Sequence, residues 1–97
     1  MLIPHSRPSL NQKEIRSINK VIASGKIAQG WLVKKFEERM AKFMKMKGGI
    51  ATSSGTSAIH LALLALGIRR GDEVILPSYL CTAPLNATNY VGAKPVL

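Results

Sequence analysis

A chain of 97 residues, 46% hydrophobic and 20% charged, has the composition of one globular domain and not of a disordered segment. No apolar run reaches the roughly 18 residues of a membrane-spanning helix. The lone Cys81 excludes an internal disulfide or a Cys-rich zinc cluster. The start, Met1-Leu2-Ile3-Pro4-His5, lacks the basic and then apolar pattern of a secretory signal, so a cytoplasmic protein without a metal centre is expected. Net charge is +9, of which residues 1–50 carry +8 and residues 51–97 carry +1. Such a basic half suits a nucleic acid, an anionic membrane or a phosphorylated substrate. It equally suits one part of a larger protein whose acidic surface lies elsewhere.

Residues 4–10, with Pro4, Pro8 and Ser9, read as an extended entry. Asn11 followed by Glu14 forms a capping-box pattern, and Ile15, Ile18 and Ile22 recur at helical spacing before Ser24-Gly25, which predicts a helix over 12–23. After Gln29-Gly30 a second helix starts at Trp31. Its apolar stripe is Leu32, Phe36, Met40 and Phe43, its other face is basic, and Gly48-Gly49 ends it. Residues 50–52 are a short strand candidate, and residues 53–56 a polar turn. Residues 57–66 are apolar almost all round, which predicts a buried helix closed by Gly67. A turn at 69–72, a strand over 73–77, a loop, a helix over about 82–91 closed by Gly92, and a third strand from Lys94 complete the chain. Strands and helices alternating through Gly-marked joints predict βαβ units with a parallel sheet. Such sheets are covered on both faces, and three short strands supply too little cover, so the chain reads as the beginning of something larger.

The segment Ser53-Ser54-Gly55-Thr56-Ser57-Ala58 lies between a strand and the first turn of a helix. The opening amides of a helix have no internal acceptors and sit at the positive end of its dipole. Small residues admit an anion to them, which makes a phosphate cradle. Helix capping by Ser and Thr accounts for the same residues, and both readings stay open here. The segment is neither a Walker loop nor a Gly-x-Gly-x-x-Gly fingerprint.

The run Ala51-Thr52-Ser53-Ser54-Gly55-Thr56-Ser57-Ala58-Ile59-His60-Leu61-Ala62-Leu63, with Gly67-Ile68 and Gly71-Asp72-Glu73-Val74-Ile75-Leu76-Pro77-Ser78, resembles the DegT/DnrJ/StrS family. Asn86-Ala87 and Val91-Gly92-Ala93-Lys94-Pro95-Val96 continue the likeness, and Ser24-Gly25, Gln29-Gly30 and Phe36-Glu37 fit upstream. These are pyridoxal-phosphate-dependent aminotransferases that act mostly on nucleotide-linked keto-sugars. The resemblance implies the N-terminal portion of an aspartate-aminotransferase-type large domain, an α/β fold with a mixed, mostly parallel sheet flanked by helices, here incomplete. Residues 1–48 would hold two N-terminal helices and residues 49–97 a βαβαβ unit with the cradle. It also implies a homodimer, an amino-acid donor such as glutamate, and a nucleotide sugar as acceptor, with neither nucleic acid nor membrane as a partner.

By that resemblance Gly55, Thr56 and Ser57 hold the cofactor phosphate, and Cys81 takes the place of an aromatic residue that lies against the pyridine ring. A thiol offers far less face than an aromatic ring; Tyr79, two residues earlier, is a candidate to compensate. The family's Schiff-base Lys and its pyridine-pairing Asp have no counterpart within residues 1–97, so no catalytic residue is assigned, and the chain alone is expected to be inactive and to bind pyridoxal phosphate weakly or not at all. A nonfunctional remnant and a small basic polyanion-binding protein are the alternatives. Some relatives dehydrate their substrates instead. His60 is expected to be a buried structural histidine, Trp31 a packing anchor, and Cys81 no nucleophile for want of a basic partner.

Overall fold

The computed structural model describes residues 3–97, with elements α1 (Gln12–Ala23), α2 (Trp31–Phe43), α3 (Gly55–Ala65), β1 (Glu73–Ile75), α4 (Ala83–Tyr90) and β2 (Lys94–Val96). They fall into two units, Met1–Lys47 and Gly48–Leu97.

In the first unit the capping box closes as its spacing dictates. Asn11 is extended, its Oδ1 accepts the Lys13 N–H at 2.9 Å, and Glu14 Oε2 accepts the Asn11 N–H at 2.7 Å. Gly25, at φ +68°, donates its N–H to Ile22 O and turns the chain out of α1. α2 ends before the Gly48-Gly49 pair that the sequence suggests. Lys45 adopts φ +55°, its N–H reaches Lys42 O at 3.2 Å, and the Met46 N–H reaches Ala41 O at 2.8 Å. That pair of bonds is a Schellman closure, formed here on a lysine, for which the left-handed conformation costs about 1–2 kcal/mol. Ala41 is the buried residue of these two helices; the apolar stripe of α2 remains substantially exposed.

In the second unit α3 starts two residues earlier than its apolar run, because Ser54 and not Thr56 is the N-cap. It ends in a Schellman closure on Gly67 at φ +75°, where Gly67 N–H meets Leu64 O and Ile68 N–H meets Leu63 O, each at 3.0 Å. α3 packs against α4, and α4 against β2. The packed centre is small: Leu76, Ala87, Ala93 and Thr88, whose hydroxyl donates to Pro84 O at 2.9 Å. The expectation of a buried α3 is not met, since Leu61 is 42% and Leu64 53% exposed. One flank meets α4, and the apolar residues on the others have no cover among the described residues.

β1 and β2 are parallel, with Glu73, Val74 and Ile75 opposite Lys94, Pro95 and Val96. The Lys94 N–H donates to Asp72 O at 2.9 Å and the Leu76 N–H to Val96 O at 2.7 Å. Val74 and Leu76 share the covered face, while Ile75 on the other face is 83% exposed. The paired Glu73 and Lys94 side chains meet at 2.8 Å in solvent, and this hydrogen bond raises the Lys94 pKa above its usual 10.5. Residues 50–52 form no strand. A strand exists only beside a partner, and among the described residues β1 and β2 pair solely with each other.

Candidate functional site

The polar segment before α3 organises itself around Ser54. Its extended backbone (φ −159°, ψ 162°) presents Oγ to the Ser57 N–H at 3.1 Å, and the Ser54 and Ser57 hydroxyls lie 3.0 Å apart. The Thr52 hydroxyl donates to Ser54 O at 2.9 Å and holds the approach to the cap. Ser53 Oγ lies 3.5 Å from Ser57 Oγ. The three residues assigned to the phosphate therefore divide. The Ser57 amide is occupied by the cap, and its hydroxyl belongs to the serine cluster. The amides of Gly55 and Thr56 open the helix and find no acceptor among the described residues, as helix geometry requires of them.

Space matches this opening. A Cβ built on Gly55 would meet nothing within 4 Å, so no neighbouring atom crowds the side-chain position of this residue. Two unfilled N–H groups, the positive end of an eleven-residue helix, and nearby hydroxyls form a donor set suited to a phosphate. No Asp or Glu occurs in the sequence between residues 39 and 71.

Cys81 is exposed, with a free thiol, on the loop between β1 and α4, and α4 begins two residues later. Tyr79 on the same loop is fully exposed. A loop at the carboxyl end of a parallel strand is where open α/β sheets take ligands. His60 stands one turn beyond Thr56, half-buried and not fully so, its ring edge-to-face with Tyr90 at 5.4 Å and 61°. Ser53 and Ser54, to which the resemblance assigns no role, complete the hydroxyl cluster, and the Ser-x-x-Ser spacing that ends at Ser57 is the sequence signal of the cap. Among the described residues no group of His, Cys, Asp and Glu is arranged for a metal, and no helix is long and apolar enough to cross a membrane.

Residues 8–97 match the model of the DegT/DnrJ/EryC1/StrS aminotransferase family. The chain is 42% identical over 96 residues to the GDP-perosamine synthase of Vibrio cholerae, covering 98% of this chain and 26% of that protein. Spr1654 of Streptococcus pneumoniae, assigned as a sugar aminotransferase and solved in its PLP form, superposes with a TM-score of 0.91 at 34% identity, over 97% of this chain and 24% of that one. The E. coli GDP-4-keto-6-deoxy-D-mannose-3-dehydratase, solved with hydrated PLP, gives 0.86 at 26% identity, over 95% and 25%. The chain thus spans about a quarter of the length of these relatives, and its fold is the N-terminal part of their aspartate-aminotransferase-type α/β domain. By motif, matched length and fold, the chain belongs to the DegT/DnrJ/EryC1/StrS aminotransferase family.

Proposed function

We propose that this chain is the phosphate-anchoring N-terminal part of a sugar aminotransferase that binds pyridoxal 5'-phosphate and works on a nucleotide-linked keto-sugar. The observation that carries the reading is the pair of acceptor-free amides at Gly55 and Thr56 that open α3. When bound, pyridoxal phosphate supplies the carbonyl and the electron sink through which an amino group passes between donor and acceptor.

The chain's own residues position and orient. Gly55 and Thr56 donate backbone hydrogen bonds to the phosphate, and the Thr56 hydroxyl adds a third donor. Ser54 holds the Ser57 amide and so fixes the first turn that aims those donors. Cys81, on its exposed loop, would border the ring and offer an apolar contact in place of aromatic stacking. None of the nine lysines matches the family's imine-forming residue: eight lie in residues 1–47, and Lys94 is paired with Glu73 on a strand. The 97-residue polypeptide by itself therefore performs no amino transfer. A homodimer, an amino-acid donor and a cytoplasmic setting belong to the same proposal. Among the solved relatives identity is 34% to the sugar aminotransferase against 26% to the dehydratase, which favours amination in this proposal.

Titration of the ¹⁵N-labelled chain with inorganic phosphate, then with pyridoxal phosphate, tests the cradle. The Gly55 and Thr56 amide resonances are expected to move first and furthest. Borohydride treatment is expected to leave no single lysine labelled stoichiometrically. Shifts confined to the basic helices, or one lysine fully labelled, would overturn the reading.

A further inference from the structure

The two helices of the second unit turn their first turns to one end. β1 and β2 are parallel, so α4, which joins them, runs back against both strands. The C-terminal ends of α3 and α4 lie together: a Cβ built on Gly92, just past α4, would stand 3.6 Å from Cβ of Arg70, just past α3. α3 packs along α4 and therefore runs parallel to it. The His60 and Tyr90 rings, 5.4 Å apart, set the register of the pair. At about 1.5 Å per residue, Gly55 lies about 7.5 Å before His60 and Ala83 about 10.5 Å before Tyr90, so the two first turns are nearly level. Packed helices stand about 8–10 Å apart. The loop over 77–82 that feeds α4 thus opens beside the free amides of Gly55 and Thr56.

Exposure alternates along that loop. Leu80 is half-buried and ties it to the unit, whereas Tyr79 and Cys81 on either side are exposed, Tyr79 completely. The Tyr79 ring packs on nothing among the described residues, so both of its faces are free for a ligand. In pyridoxal phosphate the pyridine ring stands one CH2–O arm from the phosphate, so a phosphate on the α3 amides leaves the ring close to this loop. A thiol covers little of such a ring, while an electron-rich phenol stacks, offset, against an electron-poor pyridine. We propose that Tyr79 supplies the aromatic face on which the cofactor ring rests, with Cys81 keeping an apolar contact at its edge. This rests on the phosphate-anchoring reading of Gly55 and Thr56 and adds to it the residue that selects a ring-bearing phosphate over a plain one.

Pyridoxamine 5'-phosphate is the probe, because it keeps the ring and the phosphate but has no aldehyde for the nine lysines to trap. Methyl phosphate is the matching ester without the ring. Each is titrated into the 97-residue chain and followed by NMR at the Gly55 and Thr56 amides and at the Tyr79 ring protons. The pyridoxamine ester is expected to bind roughly two- to tenfold more tightly than methyl phosphate, the range an aromatic pair contributes, and to move the Tyr79 ring resonances upfield. Tyr79→Leu is expected to bring the two affinities together and Tyr79→Phe to keep them apart. Cys81→Ala is expected to narrow the gap less than Tyr79→Leu does. An exposed side chain can be exchanged without loss of packing, and the remaining amide spectrum checks that the fold persists. Equal affinities, with Gly55 and Thr56 responding to both esters, overturn the role of Tyr79 and leave the cradle standing. So does a preference that survives Tyr79→Leu. No response at Gly55 and Thr56 to either ester overturns the cradle, and the proposal with it.

Discussion

Replacing Gly55 by Asp separates the two roles of the opening of α3, because it should move stability and anion binding in opposite directions. The position accepts a side chain: a Cβ meets nothing within 4 Å, and Gly55 is not among the residues of positive φ. Removing a glycine from the unfolded ensemble contributes about 0.4–1 kcal/mol. A carboxylate on the first turn of a helix adds about 0.3–1 kcal/mol through the dipole. The expected net gain is about 1 kcal/mol, read as a higher midpoint in guanidinium denaturation. The same carboxylate occupies the ground proposed for the phosphate. Two unit charges about 4 Å apart repel by about 1 kcal/mol even in bulk water, so a phosphate dianion meets about 2 kcal/mol. That corresponds to a roughly thirty-fold weaker affinity for inorganic phosphate, followed at the Thr56 amide. A variant that loses stability and anion binding together would show only that α3 had been damaged. Unchanged phosphate affinity at a raised midpoint would refute the cradle itself.

Ser54→Ala removes the acceptor of the Ser57 amide and should cost about 1 kcal/mol, seen as faster hydrogen exchange through the first turns of α3 with α4 unaffected. Lys45→Gly relieves the left-handed lysine and should stabilise the end of α2 by about 1 kcal/mol, read from exchange at the Met46 amide. Ala87 is fully buried, so Ala87→Leu overpacks the α4 centre and should cost about 1–3 kcal/mol on denaturation. Lys94 has its folded pKa raised, so its contribution is whole below pH 10.5 and is lost as pH climbs through the higher folded value. Glu73→Gln should therefore remove a small, salt-screened stabilisation at neutral pH and flatten the alkaline slope, measured by exchange in β1 and β2 across pH.

Local signals carried the first two helices and the cap chemistry into view. Asn11 and Glu14 specify the start of α1 through bonds that both residues supply, so spacing alone was sufficient. Gly67 and Gly92 mark the ends of α3 and α4 because both turns need positive φ. The end of α2 is illegible in the sequence for the complementary reason: Lys45 takes the same conformation and carries no compositional mark of it. Non-local features were less legible. Residues 50–52 have strand-like composition, but whether they pair depends on a neighbour that three residues cannot encode. The apolar circumference of α3 correctly signals a need for cover, and nothing in its periodicity says which element supplies it. At the site, the Gly-Thr-Ser run was readable, whereas the division of labour between open amides and an occupied Ser57 emerged only with the Ser54 cap in place.

Pro95 gives the small sheet a direction of growth. Lys94 N–H and Val96 O both point to β1, so the backbone of residue 95 faces the opposite way, where a proline offers no donor. The outer flank of β2 is consequently a poor template for another strand, which also guards it against accidental pairing between molecules. On the far flank of β1, Glu73 and Ile75 keep both halves of their peptide groups. Any further strand should therefore join beside β1, leaving β2 as the rim.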